Sequence, residues 1–260
     1  MKLTRRHQRA IELVRKLRGA QAQCRETDPI DLACLLGVQP DPWQERLLLS
    51  SKNVLLNCSR QAGKSTGAAL LVVHRATSRP GHLALLISPS ERQSKELFRK
   101  VRLLLNQVPG GVALVEDNVL SCALANGSRI VSLPSSEATI RGYSAVNTVV
   151  EDEAAFVDDA LNIAVRPMLA VSGGQLILMS SPNGRRGHFF EAWERGGEAW
   201  QRERITCWDV PRIPRAFLDE ERRVMGEMFR QEYECEFINA AGGRVYQFDE
   251  TLNVVDSLPI

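Results

Sequence analysis

The sequence lacks the features that mark a protein for export or for insertion into a membrane. In its 260 residues no apolar run reaches membrane-spanning length, and the basic N-terminus has no apolar core of a signal peptide. Six cysteines and four histidines occur, yet none forms a C-x-x-C pair or stands at metal-ligand spacing. We therefore expect reduced thiols in a protein that is neither exported nor embedded in a membrane.

The sequence also lacks a dominant charge, any internal repeat and any low-complexity segment. Its 33 basic and 31 acidic residues leave a net charge of only +2, so a nucleic-acid-binding surface would have to be local. With 44% apolar and 25% charged residues, the composition is that of an ordinary globular protein. The length allows one substantial core together with a small subdomain.

Strands and helices alternate through the middle of the chain. The apolar runs of the strands are continuous, which is typical of a parallel sheet that is buried on both faces. Ser90 and Gln93 form a capping-box pattern before one helix, and Asn126 with Gly127 indicates a hairpin turn. We predict strands at 54–57, 82–88, 146–151 and 175–180, helices at 64–78, 91–106 and 154–169, and a hairpin over 119–134. This order predicts an α/β fold with a mostly parallel central sheet flanked by helices.

Three further segments flank this alternation. Residues 3–18 have the pattern of a basic amphipathic helix, and 41–49 begin a short helix after a proline-broken stretch. Residues 200–237 read as one strand and one charged amphipathic helix, which we expect to pack as a small lid.

The stretch NVLLNCSRQAGKST, residues 53–66, runs from an apolar strand through a small polar loop into a helix. At Gly63, Lys64 and Ser65 the free N–H groups of the helix start, its dipole and an ammonium converge, which suits a phosphate. The stretch resembles the phosphate-binding loop G-x-x-x-x-G-K-[ST], except that Cys58 occupies the first glycine position.

A carboxylate cluster, NTVVEDEAA, ends the strand at 146–151. A phosphate-binding loop needs a neighbouring carboxylate for magnesium and a base that orients water. We assign Asp152 to the metal and Glu153 to the attacking water. Glu151, Asp152 and Glu153 are costly together unless a cation or polar partner reaches them. The alternative is that these acids only cap the following helix.

Two loops add weaker indications. Ser181 and Asn183 of SSPNGRRGHFFEAW follow a parallel strand, where ligands bind in open α/β sheets, although Pro182 and Gly184 also suit an ordinary turn. Arg141 of TIRGYSAV precedes the carboxylate strand and could stabilise transition-state charge on a neighbour's nucleotide, or be a plain surface arginine.

Taken in order, DPWQ, SRQAGKST, IRGYS, VVEDEAAF, SSPNGRRGHFFEAW and QEYECEF resemble the ATPase domain of the viral large terminase, the DNA-packaging motor of tailed bacteriophages. The resemblance runs from about residue 41 to 242. It implies a P-loop NTPase fold of the ASCE type with a small lid subdomain, and it removes the objection of Cys58, because that family commonly lacks the first glycine.

The resemblance also implies roles for individual residues. Gln44 would contact adenine, Arg60 and Lys64 the phosphates, and Ser65 with Asp152 the magnesium. Glu153 would be the catalytic carboxylate, and Arg141 an arginine finger inserted in trans. Ser181 and Asn183 would couple hydrolysis to movement. The implied ATP-binding residues are Gln44, Ser59, Arg60, Gln61, Ala62, Gly63, Lys64, Ser65 and Thr66, with ATP and Mg²⁺ as cofactors.

We accordingly expect a basic helical region that is part of the lid at 1–40, an ATPase core at 41–195, a lid at 196–242 and a linker at 243–260. Large terminases resemble a fusion of this motor with a nuclease, and the last segment is too short for a nuclease core, so we expect no cleavage from this chain.

The implied function is ATP-driven translocation of double-stranded DNA into a procapsid, in the cytoplasm of an infected bacterium at the portal. The implied partners are DNA without sequence preference, the portal protein, the small terminase subunit and further copies of this chain in a ring. An isolated subunit should then hydrolyse ATP slowly.

Candidate DNA contacts are basic residues that would meet phosphates. They are Arg92, Lys95, Arg99, Lys100, Arg102, Arg185 and Arg186. Two other functions stay open: a helicase-like translocase, although such proteins usually join two cores, and a nucleotide-gated adaptor that does not hydrolyse ATP.

Overall fold

The computed structural model of the chain describes residues 28–135, 140 and 142–239. The predicted helix at 3–18 and the expected linker at 243–260 lie outside these residues. Within them, the helices are α1 (Pro29–Leu35), α2 (Pro42–Leu49), α3 (Lys64–Ser78), α4 (Glu91–Gln107), α5 (Asp159–Ala170), α6 (Gly187–Arg195), α7 (Arg215–Met225) and α8 (Glu227–Glu232). The strands are β1 (Asn53–Cys58), β2 (Leu83–Ser88), β3 (Leu114–Asp117), β4 (Ser121–Leu124), β5 (Arg129–Pro134), β6 (Thr148–Asp152), β7 (Gln175–Ser180) and β8 (Trp200–Ile205).

The strands of the described residues form one eight-stranded sheet in the order β3-β4-β5-β2-β6-β7-β1-β8. All pairings from β5 to β8 are parallel, whereas β3 and β4 form antiparallel pairs at one edge. β7 lies between β1, which leads into the phosphate-binding loop, and β6, which ends in the carboxylates. The parallel direction brings the ends of β1, β6 and β7 to the same edge of the sheet, and this edge carries the candidate site.

Both faces of the sheet are buried, because successive side chains of a strand point to opposite faces. In β1, Val54 and Leu56 belong to the core beneath helices α1 to α4, whereas Leu55 belongs to the core beneath α5 and α6. A third, smaller cluster joins Leu218 of α7 to Phe229 of α8. This separate cluster is the small subdomain that the tail pattern predicts.

The predicted strands and the helices at 41–49, 64–78 and 91–106 are confirmed, with ends that differ by one or two residues in most cases. The hairpin is confirmed as the antiparallel pair β4 and β5. The hydroxyl of Ser90 accepts a hydrogen bond from the Gln93 N–H at 3.3 Å and donates to the Gln93 side chain at 2.7 Å, so the helix start is capped as its pattern indicates. The five described cysteines are free thiols.

Several elements differ from the sequence prediction. The helix at 154–169 is a 3-10 turn at Ala154–Phe156 followed by α5. The tail helix is two helices, because the chain turns at Gly226, where φ is 53° and only glycine is free of strain. α1, β3 and α6 had no clear sequence signal, and α6 occupies most of a stretch that the sequence suggested was a loop.

Elements beyond the expected boundaries of the ATPase core take part in it. β8 was expected in the lid at 196–242, yet it pairs with β1 from Trp200 to Ile205. α1, from the region expected to belong to the lid, contributes Leu32 and Ala33 to the main core. The domain boundaries stay predictions. Among the described residues, no helix combines the length and apolarity needed to cross a bilayer.

Candidate active site

The phosphate-binding loop lies between the end of β1 and the start of α3. Cys58 is the last residue of β1 and pairs with Ile205, so it has the extended backbone that any residue can adopt and needs no glycine. Gly63 does need to be glycine, since its φ is +99° and a Cβ would lie 3.0 Å from Nη2 of Arg212 and 3.1 Å from Nε2 of Gln44. The first N–H groups of α3 therefore begin at a fixed turn, where they are available to an anion.

Lys64 and Glu153 bring this loop and the carboxylate strand together. The Lys64 ammonium is nearly buried, and its Nζ lies 3.5 Å from Oε1 of Glu153. Glu153 follows β6 in a left-handed conformation with φ 51°, which turns its side chain back towards the loop. Its Oε2 accepts a hydrogen bond of 3.3 Å from the Ser180 hydroxyl at the end of β7. Three neighbouring strands thus contribute to one charged cluster.

Asp152 ends β6 beside this cluster and is 8% exposed. Burial and the neighbouring Glu153 raise the pKa of Asp152 to about 6, and Lys64 offsets only part of this effect. A carboxylate held in this state gains from a nearby cation. A hydroxyl and a carboxylate, as in Ser65 and Asp152, are oxygen ligands of the kind that Mg²⁺ takes alongside nucleotide phosphates, so these residue types fit the ion. The described residues contain no group of three or more His, Cys, Asp or Glu that could hold a metal alone.

The remaining predicted nucleotide-binding residues lie on or beside the loop. Ser59 and Ala62 are buried, Ser65 and Thr66 are half-buried, and Gln61 is exposed. Gln61 has a φ of 61°, so the loop holds a second left-handed residue besides Gly63.

Gln44 and Arg60 both make contacts within the protein. The Gln44 amide donates to the Gly63 carbonyl at 3.2 Å and accepts from the Asp41 N–H at 2.9 Å. Nε of Arg60 donates to Oε2 of Glu232 on α8 at 2.7 Å. Gln44 therefore supports the loop, and Arg60 joins it to the lid. Their predicted contacts with adenine and phosphate stay predictions.

The loop after β7 contacts both the carboxylate turn and the lid. Ser181 is buried, and Nδ2 of Asn183 donates to the Ala155 carbonyl at 3.2 Å, in the turn after Glu153. The Gly184 N–H donates to the Gln231 side chain of α8 at 3.0 Å. This loop is therefore placed to sense both the carboxylates and the lid. Arg141 lies outside the described residues.

Most of the predicted DNA contacts lie on α4, and three of them are in surface ion pairs. Lys95 pairs with Glu91 at 2.6 Å, Arg99 with Glu96 at 3.1 Å and Arg102 with Asp117 at 2.7 Å. All six side chains are substantially exposed, so each pair contributes little and can open. Arg185 lies over the Phe190 ring at 5.3 Å.

Sequence reasoning missed His188, which is the polar partner of Glu151. Glu151 is fully buried on the face of the sheet opposite to Asp152, and its Oε1 lies 2.7 Å from Nε2 of His188. Asp159 receives the His188 N–H at 2.6 Å and lies 3.0 Å from Nδ1. Burial lowers the pKa of His188, but the two carboxylates outweigh it and the net pKa is raised. The only sequence signal was that three adjacent acids needed a partner.

Arg212 was also missed, because it lies in the tail, 150 positions after the loop that it contacts. Its Nη1 lies 3.0 Å from Oδ2 of Asp41, and its Nη2 donates to the Ala62 carbonyl. The phosphate-binding loop is thus supported from the tail segment as well as from Gln44. A single arginine in a charged tail carries no pattern that could have indicated this role.

Comparison with known proteins gives the family. The family model described as terminase large subunit, T4likevirus-type, N-terminal, matches residues 55–252. The curated large terminase subunits of Thermus virus P23-45 and Thermus phage G20c are each 26% identical over 243 residues, which cover 79% of this chain and 50% of the relative. This chain therefore spans about half the length of these relatives.

Solved structures give the fold. The large terminase ATPase domain of Thermus phage P74-26 superposes with a TM-score of 0.70 at 22% identity, over 79% of this chain and 97% of that one. The large terminase of another thermophilic bacteriophage, in complex with ADP, gives a TM-score of 0.63 at 11% identity, over 76% and 54% of the chains. The fold is accordingly that of a P-loop NTPase with a central, mostly parallel sheet. Since the family model matches most of the chain, the protein belongs to the family of N-terminal domains of terminase large subunits of the T4-like virus type.

Proposed function

We propose that this domain hydrolyses ATP and uses the energy to move double-stranded DNA into a procapsid. The observation that carries the proposal is the contact of Lys64 with Glu153, because it brings a phosphate-binding loop and a carboxylate pair to one edge of the sheet. The choice of ATP is supported by the relative named as a terminase ATPase domain, and by the thermophilic bacteriophage large terminase solved with ADP and with ATP-gamma-S.

In the proposed site, the start of α3 and Lys64 bind the phosphates, and Ser65 with Asp152 would hold Mg²⁺. The ion, when bound, supplies positive charge that stabilises the phosphates as charge develops on them. Glu153 orients the attacking water and accepts its proton. The hydrogen bond from Ser180 holds one Glu153 oxygen, which leaves the carboxylate in a defined position. Gln44 contacts adenine, and Arg60 leaves Glu232 to contact phosphate.

Coupling to movement would pass through the loop after β7. Asn183 contacts the turn that follows Glu153, and Gly184 contacts Gln231 of the lid. A shift of Glu153 on hydrolysis would therefore reach α8 through one short loop. Ser181 and Asn183 are the residues that we assign to this step.

We further propose that Arg141 completes the site of a neighbouring subunit, so that a ring of these chains forms on the portal. In this arrangement the domain acts in the cytoplasm of the infected host, with the portal protein and the small terminase subunit as partners. DNA is held through its phosphates, with Arg92 and Lys100 of α4 and Arg186 among the contacts, so packaging depends on salt and not on base sequence.

The test is phosphate release by wild type, Glu153→Ala and Arg141→Ala at rising protein concentration. We expect both variants to be inactive alone, with a loss of roughly a thousandfold or more for the arginine. Mixing them should restore activity, because some sites then combine an intact Glu153 with an intact Arg141. Arg166→Ala, an exposed arginine of α5, is the matched control and should stay active.

An unchanged rate in Glu153→Ala would contradict the hydrolytic mechanism. Failure of the mixture would contradict the shared site alone. Strand separation of a duplex by the wild-type protein would instead favour the helicase-like function.

A further inference from the structure

A polar cavity of about 190 Å³ lies at the edge of the sheet opposite to Lys64 and Glu153. It is lined by Arg79, Pro80, Gly81, His82, Asn147, Ser172, Gly173 and Gly174. These residues precede β2, β6 and β7, which run parallel, so they share the edge where those strands begin. The cavity is therefore separate from the candidate nucleotide site.

Positive charge at this edge has no carboxylate partner within ion-pair distance among the described residues. Arg75 is 5% exposed, and its guanidinium donates to the Thr148 hydroxyl at 2.9 Å and to the Ser50 carbonyl at 3.3 Å. Arg79 lines the cavity itself. Burial and the charge of Arg79 lower the pKa of Arg75 to about 10, which still leaves it charged at neutral pH. The C-terminal end of α3 carries only about half a negative charge, so it offsets only part of two guanidinium charges.

The hydrogen bonds of Thr148 assign a donor to the cavity. A guanidinium can only donate, so the Thr148 hydroxyl accepts from Arg75. Its own proton then goes to Nε2 of His82, which lies 3.0 Å away. Burial, with Arg75 and Arg79, lowers the pKa of His82 to about 4, so the ring is neutral at pH 7. A neutral ring that accepts at Nε2 carries its proton at Nδ1, which becomes a donor.

The acceptors around the cavity are already used, whereas donors remain. The Arg79 carbonyl accepts from the Ser128 hydroxyl at 2.9 Å. The Asn147 carbonyl accepts from the Gln175 N–H at 3.0 Å, and the Asn147 side-chain oxygen accepts from the Leu83 N–H at 2.8 Å. The Asn147 side-chain NH₂ is then left to donate.

We propose that this cavity binds a single oxyanion of the phosphate type, held by the Arg79 guanidinium, His82 Nδ1–H and the Asn147 NH₂. Its volume is below the ~300–1,000 Å³ of pockets for larger ligands, and it holds several volumes of about 30 Å³, the share of one water, so a single tetrahedral group fits. Charge-assisted hydrogen bonds from arginine favour such an anion over a neutral ligand. Free inorganic phosphate and a phosphate of a nucleic-acid backbone share this chemistry.

The test uses the whole chain with Lys64→Ala, which weakens phosphate binding at the nucleotide site and makes the result independent of ATP hydrolysis. Inorganic phosphate is titrated while the imidazole nitrogens of His82 are followed by NMR, with chloride at equal ionic strength as the reference. We expect a saturable shift of the His82 Nδ1 signal with phosphate. Arg79→Gln, at an exposed position, should weaken binding about tenfold or more, as expected for the loss of a charged hydrogen bond.

Asn147→Asp is the second variant, because it adds a negative charge without changing size, and it should abolish the shift. Arg223→Gln on α7 is the matched control and should leave it unchanged. A short DNA duplex replaces phosphate in a parallel titration. A shift with both ligands assigns the cavity to a backbone phosphate, and a shift with inorganic phosphate alone assigns it to the free ion.

No shift with either ligand would overturn the proposal. An Arg79→Gln variant that binds phosphate as tightly as its parent would do the same. Because no variant in this series needs to hydrolyse ATP, a failure of the proposed motor function leaves the result intact.

Discussion

The two edges of the central sheet both bury charge, but they balance it differently. At the edge where β1, β6 and β7 end, three consecutive acids meet Lys64 and His188, and only Asp152 lacks a direct cationic partner. At the opposite edge, Arg75 and Arg79 have no carboxylate partner among the described residues. The first edge has cationic partners for most of its charge within the chain, whereas the second relies on a helix end and on neutral groups.

This difference indicates what each edge can do. A carboxylate pair held partly protonated is ready for a cation, which would arrive together with a nucleotide. Buried guanidinium groups with leftover donors are ready for an anion. In both cases the cost of the unbalanced charge is a reason to expect a ligand of the opposite sign.

The largest effect should come from removing the cation of the first edge. Lys64→Met leaves Asp152 and Glu153 without a nearby ammonium, so the pKa of Asp152 should rise further above 6. ATP turnover should fall by about a hundredfold or more, because the phosphates also lose their cationic contact. Phosphate release in single turnovers measures this, with Lys52→Met, an exposed lysine, as control. Turnover within twofold of wild type would contradict the site.

His188→Phe should make the first edge resemble the second, because it leaves Glu151 fully buried without a cation. We expect a loss of about 3–5 kcal/mol in the free energy of unfolding, as for other buried pairs broken on one side. Urea denaturation measures it. His188→Gln can keep a hydrogen bond to Glu151 and should lose clearly less. Equal losses in both variants would show that the pair contributes only packing.

Asp152→Asn tests the unbalanced acid of the first edge through pH. The pKa of Asp152 is raised from 3.8 to about 6, so its contribution to stability is full below pH 4 and lost as pH rises through 6. The variant lacks this loss. Relative to wild type without nucleotide, its free energy of unfolding should therefore increase between pH 4 and 6, by on the order of 3 kcal/mol at most. Asp219→Asn, an exposed aspartate, should run parallel to wild type in the same denaturation series.

Arg75→Met should give the smallest effect on stability and sharpen the contrast of the edges. It removes a buried charge that has no acid partner, so the cost should stay near zero to about 1 kcal/mol. The pKa of His82 should rise from about 4, yet remain below 6.5, because burial is the first cause of its shift. An NMR titration of His82 measures this, with Arg166→Met as control. An unchanged pKa would mean that the two charges do not interact.

Much of the first edge was predictable, because its chemistry is written in short motifs. Gly63, Lys64 and the acids at 151–153 follow predicted strands, and the ends of parallel strands meet at one edge. Cys58 was an anomaly in the motif, and the structure explains it, since this position is still part of β1. The residues that stabilise the site could not be predicted in the same way. His188 and Arg212 reach it from distant elements, and neither stands in a pattern of its own.

The second edge had no sequence signal at all. Arg75 and Arg79 read as ordinary charges near a helix end, and His82 as the start of a strand. Their meaning depends on the missing acids around them, and the absence of a neighbour is a property of three-dimensional packing. The lid shows the same limit: its helix pattern was clear, but the break at Gly226 and the pairing of β8 with the main sheet required the structure.

The sequence by itself determined the alternation of strands and helices, the phosphate-binding turn and the acids of β6, because each depends on neighbours within a few positions of the chain. Only the tertiary structure decided which charges are balanced: Glu151 by His188, Glu153 by Lys64, and Arg75 by no acid in the described residues. The physical reason is that the energy of a charge depends on burial and on partners within a few ångströms, and strands distant in sequence supply both.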